Sequence, residues 1–412
     1  GRVDGAGPAV IDPAHTYPLV EARRLLRVPG RAGDRLDLST IPAPGALVQF
    51  RAPVDSLSQP EPLCFDNRWQ PHVDPTLCKA PLSVGTLNLP VVSGARVVGP
   101  GLVVTQDDRV LDKSVGRHAE RYGLEVTDGR CRLTGGLRTL VEEARVRGRV
   151  SGVDGPALYI SDPAIHHFGV WMIKCLPRLG VLELIGRTEL PLLLPTGVPD
   201  KFLRLLAVLG VDERRVRFHD PHGITTVDQL ILAPKLYTPA SCRYRQPFEL
   251  FRAGSAMRST DSRIQQPGLG PARIYVSRRG NARRRLANEK AVEALCARFG
   301  FEVIEPSRLT ALETMMLFRD CELVAGPLGS GLYNLLLSER APRALALVPP
   351  VLKFERLPAT LVHVCAGMGA RAGFVHGREV AGSRGADEFD YAWDVDLAAV
   401  EAALVRVSAD RD

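Results

Sequence analysis

The sequence predicts an α/β protein built on parallel sheets, on three observations. From residue 155 onward, short runs of aliphatic and β-branched residues alternate with helix-length amphipathic segments. The apolar runs lie too far apart for hairpins and require crossover connections. Gly, Pro and helix-capping residues mark the boundaries between them. A chain of 412 residues with 45% apolar side chains is long enough for two or three domains with buried cores and too apolar to be disordered throughout.

Residues 1–90 are rich in Pro and poor in periodicity ("IPAPGALVQFRAPVDSLSQPEPLC"), which predicts an irregular or β-rich N-terminal extension. "ARVVGPGLVVTQDDRVL" (95–111) alternates β-branched runs with turn residues, as hairpins do. The first α/β unit, 91–250, continues with strands at 157–161, 190–195, 215–219 and 226–233. Its helices are expected at 165–179, interrupted by Pro177, and at 199–210, closed by Gly210. A Gly/Pro/Gln run at 251–271 reads as a linker. The second unit, 272–385, has strands at 273–277, 301–305, 322–326 and 344–348. Asn288 is placed to cap a helix that Gly300 ends, and Thr310 with Glu313 forms a capping box. In the last segment, 386–412, a helix over 394–407 presents an apolar stripe for docking.

The formal net charge is +7 and the basic side chains are mostly Arg, which suits forked recognition of phosphate or carboxylate. Aromatics are only 6%, so the interleaving of basic and aromatic residues typical of nucleic-acid binding is missing, and nucleic acid is not expected as a partner. The eight cysteines are scattered without C-x-x-C spacing, which fits a reducing compartment; only Cys64 and Cys78 suggest a disulfide, and two free thiols is the simpler reading. No apolar run is long enough to span a membrane, so the expected place is cytoplasmic, with peripheral contact at the inner membrane face left open. The chain opens "GRVDGAG", with neither an initiator Met nor a signal-like core, so the native start is expected upstream.

The most informative stretch is "GPLGSGLYN" (326–334), between an apolar strand and an apolar helix. It lies at the carboxyl edge of a parallel sheet, where helix N-termini offer unpaired N–H groups to anions. Gly326, Gly329 and Gly331 permit close approach, and Ser330 is expected to cap the helix. The bland alternative is a Gly-rich turn needed only for packing. "SRRGNARRR" (277–285) leaves the first strand of the same sheet at the same edge. Of Arg278 and Arg279, one should point into the crevice and the other outward, whereas Arg283–Arg285 read as a solvated loop.

The run "RIYVSRR…RRLANEKAVEAL…FGFEVIEPSRLTALETMMLFRDCELVAGPLGSGLYNLLL" resembles the core of glycosyltransferase family 61, with weaker likeness at "GLVVTQDDRVL" and "WMIKCLPRL". The resemblance implies a GT-B fold, two Rossmann-like domains facing across a cleft. It also implies inverting, metal-independent sugar transfer from a nucleotide-sugar donor, UDP-linked, to a glycan or glycoconjugate acceptor in surface polysaccharide assembly, with no cofactor beyond that co-substrate. Arg278, Asn288, Glu289, Gly326, Pro327, Gly329, Gly331 and Asn334 stand where the family has recurrent residues. The expected donor site is therefore Arg278, Arg279, Gly326, Pro327, Gly329, Ser330, Gly331 and Asn334. The chain departs from the family at three positions: Leu328 and Val170 replace a usual His, and Lys174 replaces an acid. These departures open a second reading, a catalytically silent protein that binds nucleotide sugar or glycan.

Inverting transfer needs a base for the acceptor hydroxyl. His166 and His167, expected on one helix face with Val170, are candidates, with helix capping or packing as the alternative role. Asp162 is a third candidate, with a turn role before Pro163 as its alternative. His219, Asp220 and His222 have metal-like spacing but lack a fourth ligand, and Asp396 of "DVD" (394–396) reads as a helix cap. No metal site is expected.

Overall fold

The computed structural model describes residues 11–50, 56–57, 63–64, 82–83, 86–112, 122–234, 268, 270–281, 283–351, 357–387 and 390–409. The expected linker falls almost wholly outside these residues, as does Cys78 of the suggested Cys64–Cys78 pair. Cys131, Cys296, Cys321 and Cys365 are free thiols, and they and Cys175 are buried.

Two mixed α/β units follow one another. In the first, Val150–Tyr159 lies between Ile224–Leu232 and Leu192–Pro195, and Val216–His219 closes the edge; these four strands are mutually parallel. Ile224–Leu232 also pairs antiparallel with Leu87–Val98, which turns back through Leu102–Val104 as the hairpin pattern predicts. In the second unit the parallel order is Glu302–Ile304, Arg273–Val276, Leu323–Pro327, Arg343–Val348 and Ala372–His376. The last of these strands was not foreseen.

The described parts of residues 1–90 contain β-strands that pair into the sheets. Gly45–Phe50 pairs antiparallel with Leu87–Val98, Leu26–Gly30 lies parallel to it, and Thr16–Val20 joins Val110–Leu111. Leu63–Cys64 adds a parallel edge strand to Ala372–His376 in the other sheet. The first segment therefore pairs with both sheets. Its Pro content is compatible with edge strands, and partners distant in sequence leave no local periodic signal.

Side chains along the second sheet alternate between two interiors, as the pleat requires. Ile274, Val276, Val324, Ala344, Ala346 and Phe374 face one core, whereas Tyr275, Leu323, Ala325, Leu345 and Val375 face another beneath Glu289–Arg298 and the C-terminal helix Leu397–Ala409. That docking agrees with the stripe read from sequence. The first core does not stop at the unit boundary: it also contains Leu158, Ile160, Leu192, Leu194 and Ile231 of the first sheet. Between the sheets lie Asp200–Val208, Ala311–Arg319 and Ser330–Leu337, and Lys201 Nζ donates to the Pro306 carbonyl across the junction at 2.7 Å.

The capping box is present, with Thr310 Oγ1 accepting from Glu313 N–H and the Glu313 carboxylate accepting from Thr310 N–H. Asn288 precedes its helix without capping it; its amide exchanges two hydrogen bonds with the Val395 backbone instead. The predicted helix over 165–179 begins later, at Phe168. It then passes through a π-helical stretch, Trp171–Cys175, and a 3₁₀ turn at Pro177 before resuming at Gly180–Leu184. Among the described residues no helix is long and apolar enough to cross a membrane.

Candidate functional site

The Arg273–Val276 strand ends in Ser277 and Arg278, and the neighbouring Leu323–Pro327 strand ends in the glycine turn. Parallel pairing therefore delivers both to one rim. The three glycines have different reasons. A Cβ on Gly326 would lie 2.5 Å from the Val276 carbonyl oxygen, and its φ of +153° lies in the region that favours glycine. A Cβ on Gly331 would lie 2.8 Å from Val276 Cγ1. Both serve packing. Gly329 is extended, and its missing Cβ leaves room for Arg278, whose Nη1 would be 2.8 Å away.

Arg278 Nη1 reaches the Leu328 carbonyl at 3.4 Å, a long bond that occupies little of the guanidinium. Its backbone N–H donates to Glu289 Oε1 at 2.7 Å, and the Tyr275 hydroxyl reaches the same oxygen at 3.5 Å. Burial, reinforced by the Glu293 charge, raises the Glu289 pKa even though the Arg278 N–H bond opposes it. Burial and then the charge of Arg284 bring Arg278 down to about 10. Arg279 turns outward, as the pleat predicts for one of the pair. Its Nε lies 2.9 Å from Glu293 Oε1, a charge contact without hydrogen-bond alignment.

Ser330 does not cap. Gly329 occupies the cap position of the 3₁₀ helix Ser330–Leu337, whose first N–H groups have no intrahelical acceptor. Asn334 is wholly buried and donates to the Gly331 carbonyl at 2.9 Å, bracing the turn from below. Leu328 is also buried, within the shared core, while its carbonyl faces Arg278. Pro327 completes the strand.

The opposite wall comes from the first unit. A Cβ on Gly169 would lie 3.0 Å from Ser330 Cβ and 3.1 Å from His167 Cε1, so His167, Gly169 and Ser330 converge where the units meet. His166 and His167 are exposed but precede the helix, so they do not share a helical face with Val170. His166 instead approaches Gly197, 3.9 Å from its would-be Cβ. Asp162 is buried, and its carboxylate accepts from Ala164 N–H at 3.1 Å. It forms the turn, whereas His166 and His167 remain exposed. His219 is buried with Nε2 3.2 Å from the Tyr159 hydroxyl, whereas the Asp220 carboxylate accepts from His222 N–H. Asp396 caps Ala398, and Asp394 pairs with Arg378. Among the described residues no three His, Cys, Asp or Glu side chains gather as a metal cluster would.

Arg284 departs from the solvated loop expected of 283–285, for it is half-buried between two exposed neighbours. It sits at φ +53° with its backbone carbonyl accepting from Trp393 Nε1 at 2.8 Å, and burial lowers its pKa. Three adjacent arginines look alike locally; no signal in the sequence separates this one from its neighbours.

Residues 168–344 match the family model described as Glycosyltransferase 61, a span that contains the Gly169–Ser330 contact, Arg278 and the glycine turn. A search of curated proteins finds no match.

Proposed function

We propose, from the chain's membership of glycosyltransferase family 61, that it is an inverting glycosyltransferase. In this reading its two units are the halves of a GT-B fold and its donor is a UDP-linked sugar. One observation carries the proposal: a half-buried arginine and a helix opening share the rim where an exposed histidine from the other unit arrives. The diphosphate lies against Arg278 and the 329–331 backbone, where helix N–H groups and guanidinium offset its charge. His167 takes the proton of an acceptor hydroxyl, whose oxygen bonds to the anomeric carbon from the face opposite the leaving group. The bond from that carbon to the diphosphate breaks, and the departing oxygen carries its electron pair toward Arg278. The acceptor is a glycan or glycoconjugate of surface polysaccharide assembly, reached from the cytoplasmic side of a membrane.

Calorimetry against a panel of nucleotide sugars and nucleotides tests this. Arg278→Ala should weaken the bound nucleotide about ten- to a hundredfold, the effect of one charge-assisted contact. Binding and transfer should survive EDTA; loss restored by Mg²⁺ or Mn²⁺ would sink the metal-free mechanism. A parent protein that binds no nucleotide overturns the donor site, and one that binds but neither transfers nor hydrolyses any donor is a silent relative.

A further inference from the structure

The rim of the second sheet opposite the glycine turn is also charged, and it encloses a cavity of about 570 Å³. Arg273 and Arg343 each open a strand, and the register places them on either side of Leu323. Arg371 immediately precedes the next strand, and its carbonyl accepts from Ala344 N–H at 3.0 Å, so it stands beside Arg343. Arg340 joins them from the loop before Arg343. All four line the cavity, and Glu322 is the one carboxylate among its described lining residues. Arg273 and Arg278 bracket a single strand, roughly 16 Å apart at about 3.3 Å per residue, so this rim is separate from the proposed donor site.

Structural contacts account for part of this charge. Arg273 Nη1 donates to the Phe299 carbonyl at 2.7 Å, Arg343 Nη1 donates to the Val407 carbonyl near the end of the C-terminal helix, and Arg340 pairs with Glu322. A neutral carbonyl orients a guanidinium without balancing its charge, which leaves one lining carboxylate against four cations. Like charges at neighbouring register positions destabilise a sheet. Arg273, Arg343 and Arg371 are half-buried, which limits the hydration that would offset the cost. Ser408 lines the same cavity, and its Oγ is buried without a hydrogen-bond partner. A cavity with excess positive charge and a hydroxyl to satisfy suits an anion rich in acceptor oxygens.

We infer that this rim binds a phosphate monoester. A carboxylate would offset one cation, whereas a phosphate monoester carries about 1.5 to 2 negative charges near neutral pH and three acceptor oxygens, which match several guanidinium forks and the Ser408 hydroxyl. A soluble sugar or glycerol phosphate presents that group, and so does the phosphatidic acid headgroup at a membrane surface.

The test is calorimetry at fixed ionic strength with glycerol 3-phosphate on the full chain, with glycerol as the uncharged control. The parent should bind the phosphate and not glycerol, and Arg278→Ala should retain that binding, because Arg278 lies at the other rim. Arg371→Gln and Arg340→Gln should each weaken it about ten- to a hundredfold, and Arg371→Lys should recover part of the loss. Ser408→Ala, which removes one neutral hydrogen bond, should weaken it about two- to tenfold and guards against misfolding of the arginine variants. Arg204→Gln removes an exposed, ion-paired cation from the first unit and should change nothing. Flotation with phosphatidylcholine vesicles, with and without phosphatidic acid, separates the two sources. Retention that requires both phosphatidic acid and Arg371 identifies the headgroup, and calorimetric binding without retention identifies a soluble ester. No binding in either format overturns the inference, as does parental affinity in the folded Arg371→Gln, Arg340→Gln and Ser408→Ala variants. Loss of binding in Arg278→Ala also overturns it, since the anion would then sit at the glycine turn.

Discussion

At the carboxyl edge of the first sheet, polar groups are turned toward the protein itself. Tyr159 meets His219, Asp162 closes its own turn, and Arg178 Nη1 donates to the Ser161 carbonyl at 2.5 Å. All four side chains that define this edge are buried. At the carboxyl edge of the second sheet, by contrast, Arg278 remains half-buried with one long contact to the Leu328 carbonyl, and a helix opens beside it. The same topology thus yields one edge that holds structure and one that retains unbalanced positive charge. The difference teaches that a parallel sheet supplies the location of a site, while incomplete electrostatic satisfaction supplies its capacity to bind.

The sharpest way to break this comparison is at the junction, where the first unit is assigned one chemical group. His167→Ala should lower kcat by about 10² to 10⁴ while nucleotide affinity, made by the other unit, stays near the parent value. His166→Ala, whose side chain leans toward Gly197, should have a smaller effect. Steady-state kinetics on both variants decides; full activity in both moves the base elsewhere.

The glycine turn can be split into its structural and binding halves. Gly326→Ala meets a backbone oxygen and a positive φ, so it should cost roughly 2 to 4 kcal/mol of stability in urea unfolding. Gly329→Val meets the movable end of Arg278 and should block nucleotide binding, measured by calorimetry, with the unfolding midpoint little changed. If the two effects are exchanged between the positions, the assignment of roles in the turn is wrong.

The buried edge carries its own pH signature. Burial lowers the His219 pKa from 6.5 to about 4. Between those values the unfolded chain binds a proton that the folded chain refuses, so the contribution of neutral His219 is complete above pH 6.5 and lost as pH falls toward 4. The loss is at most about 3 kcal/mol. His219→Gln should flatten the stability profile over that window in unfolding titrations; an unchanged slope would mean that His219 is not held neutral. The smallest expected effect is at the junction itself: Lys201→Met removes the bond to Pro306 and should cost about 1 kcal/mol in the same assay. No change there would mean that the shared core alone holds the units together.

Much of the parallel framework was legible because its strands are continuous apolar runs bounded by turn residues, as at 273–277 and 322–326. Local chemistry also determined the Thr310–Glu313 capping box, the docking helix and the opposite orientations of Arg278 and Arg279, since each depends on spacing within a few residues. The tertiary structure decided the rest. Pairing of residues 16–50 and 63–64 with distant strands left no periodic trace, and the core shared by both sheets could not be read from either alone. The arginines make the point at a single site. Local sequence offers three equivalent cations at 283–285, but an ion pair with Asp387 occupies Arg283, whereas the contact with Trp393 fixes the Arg284 backbone and leaves its Nη1 buried without a hydrogen-bond partner. Charge is written in the residue; whether it is neutralised or left for a ligand depends on what the fold places next to it.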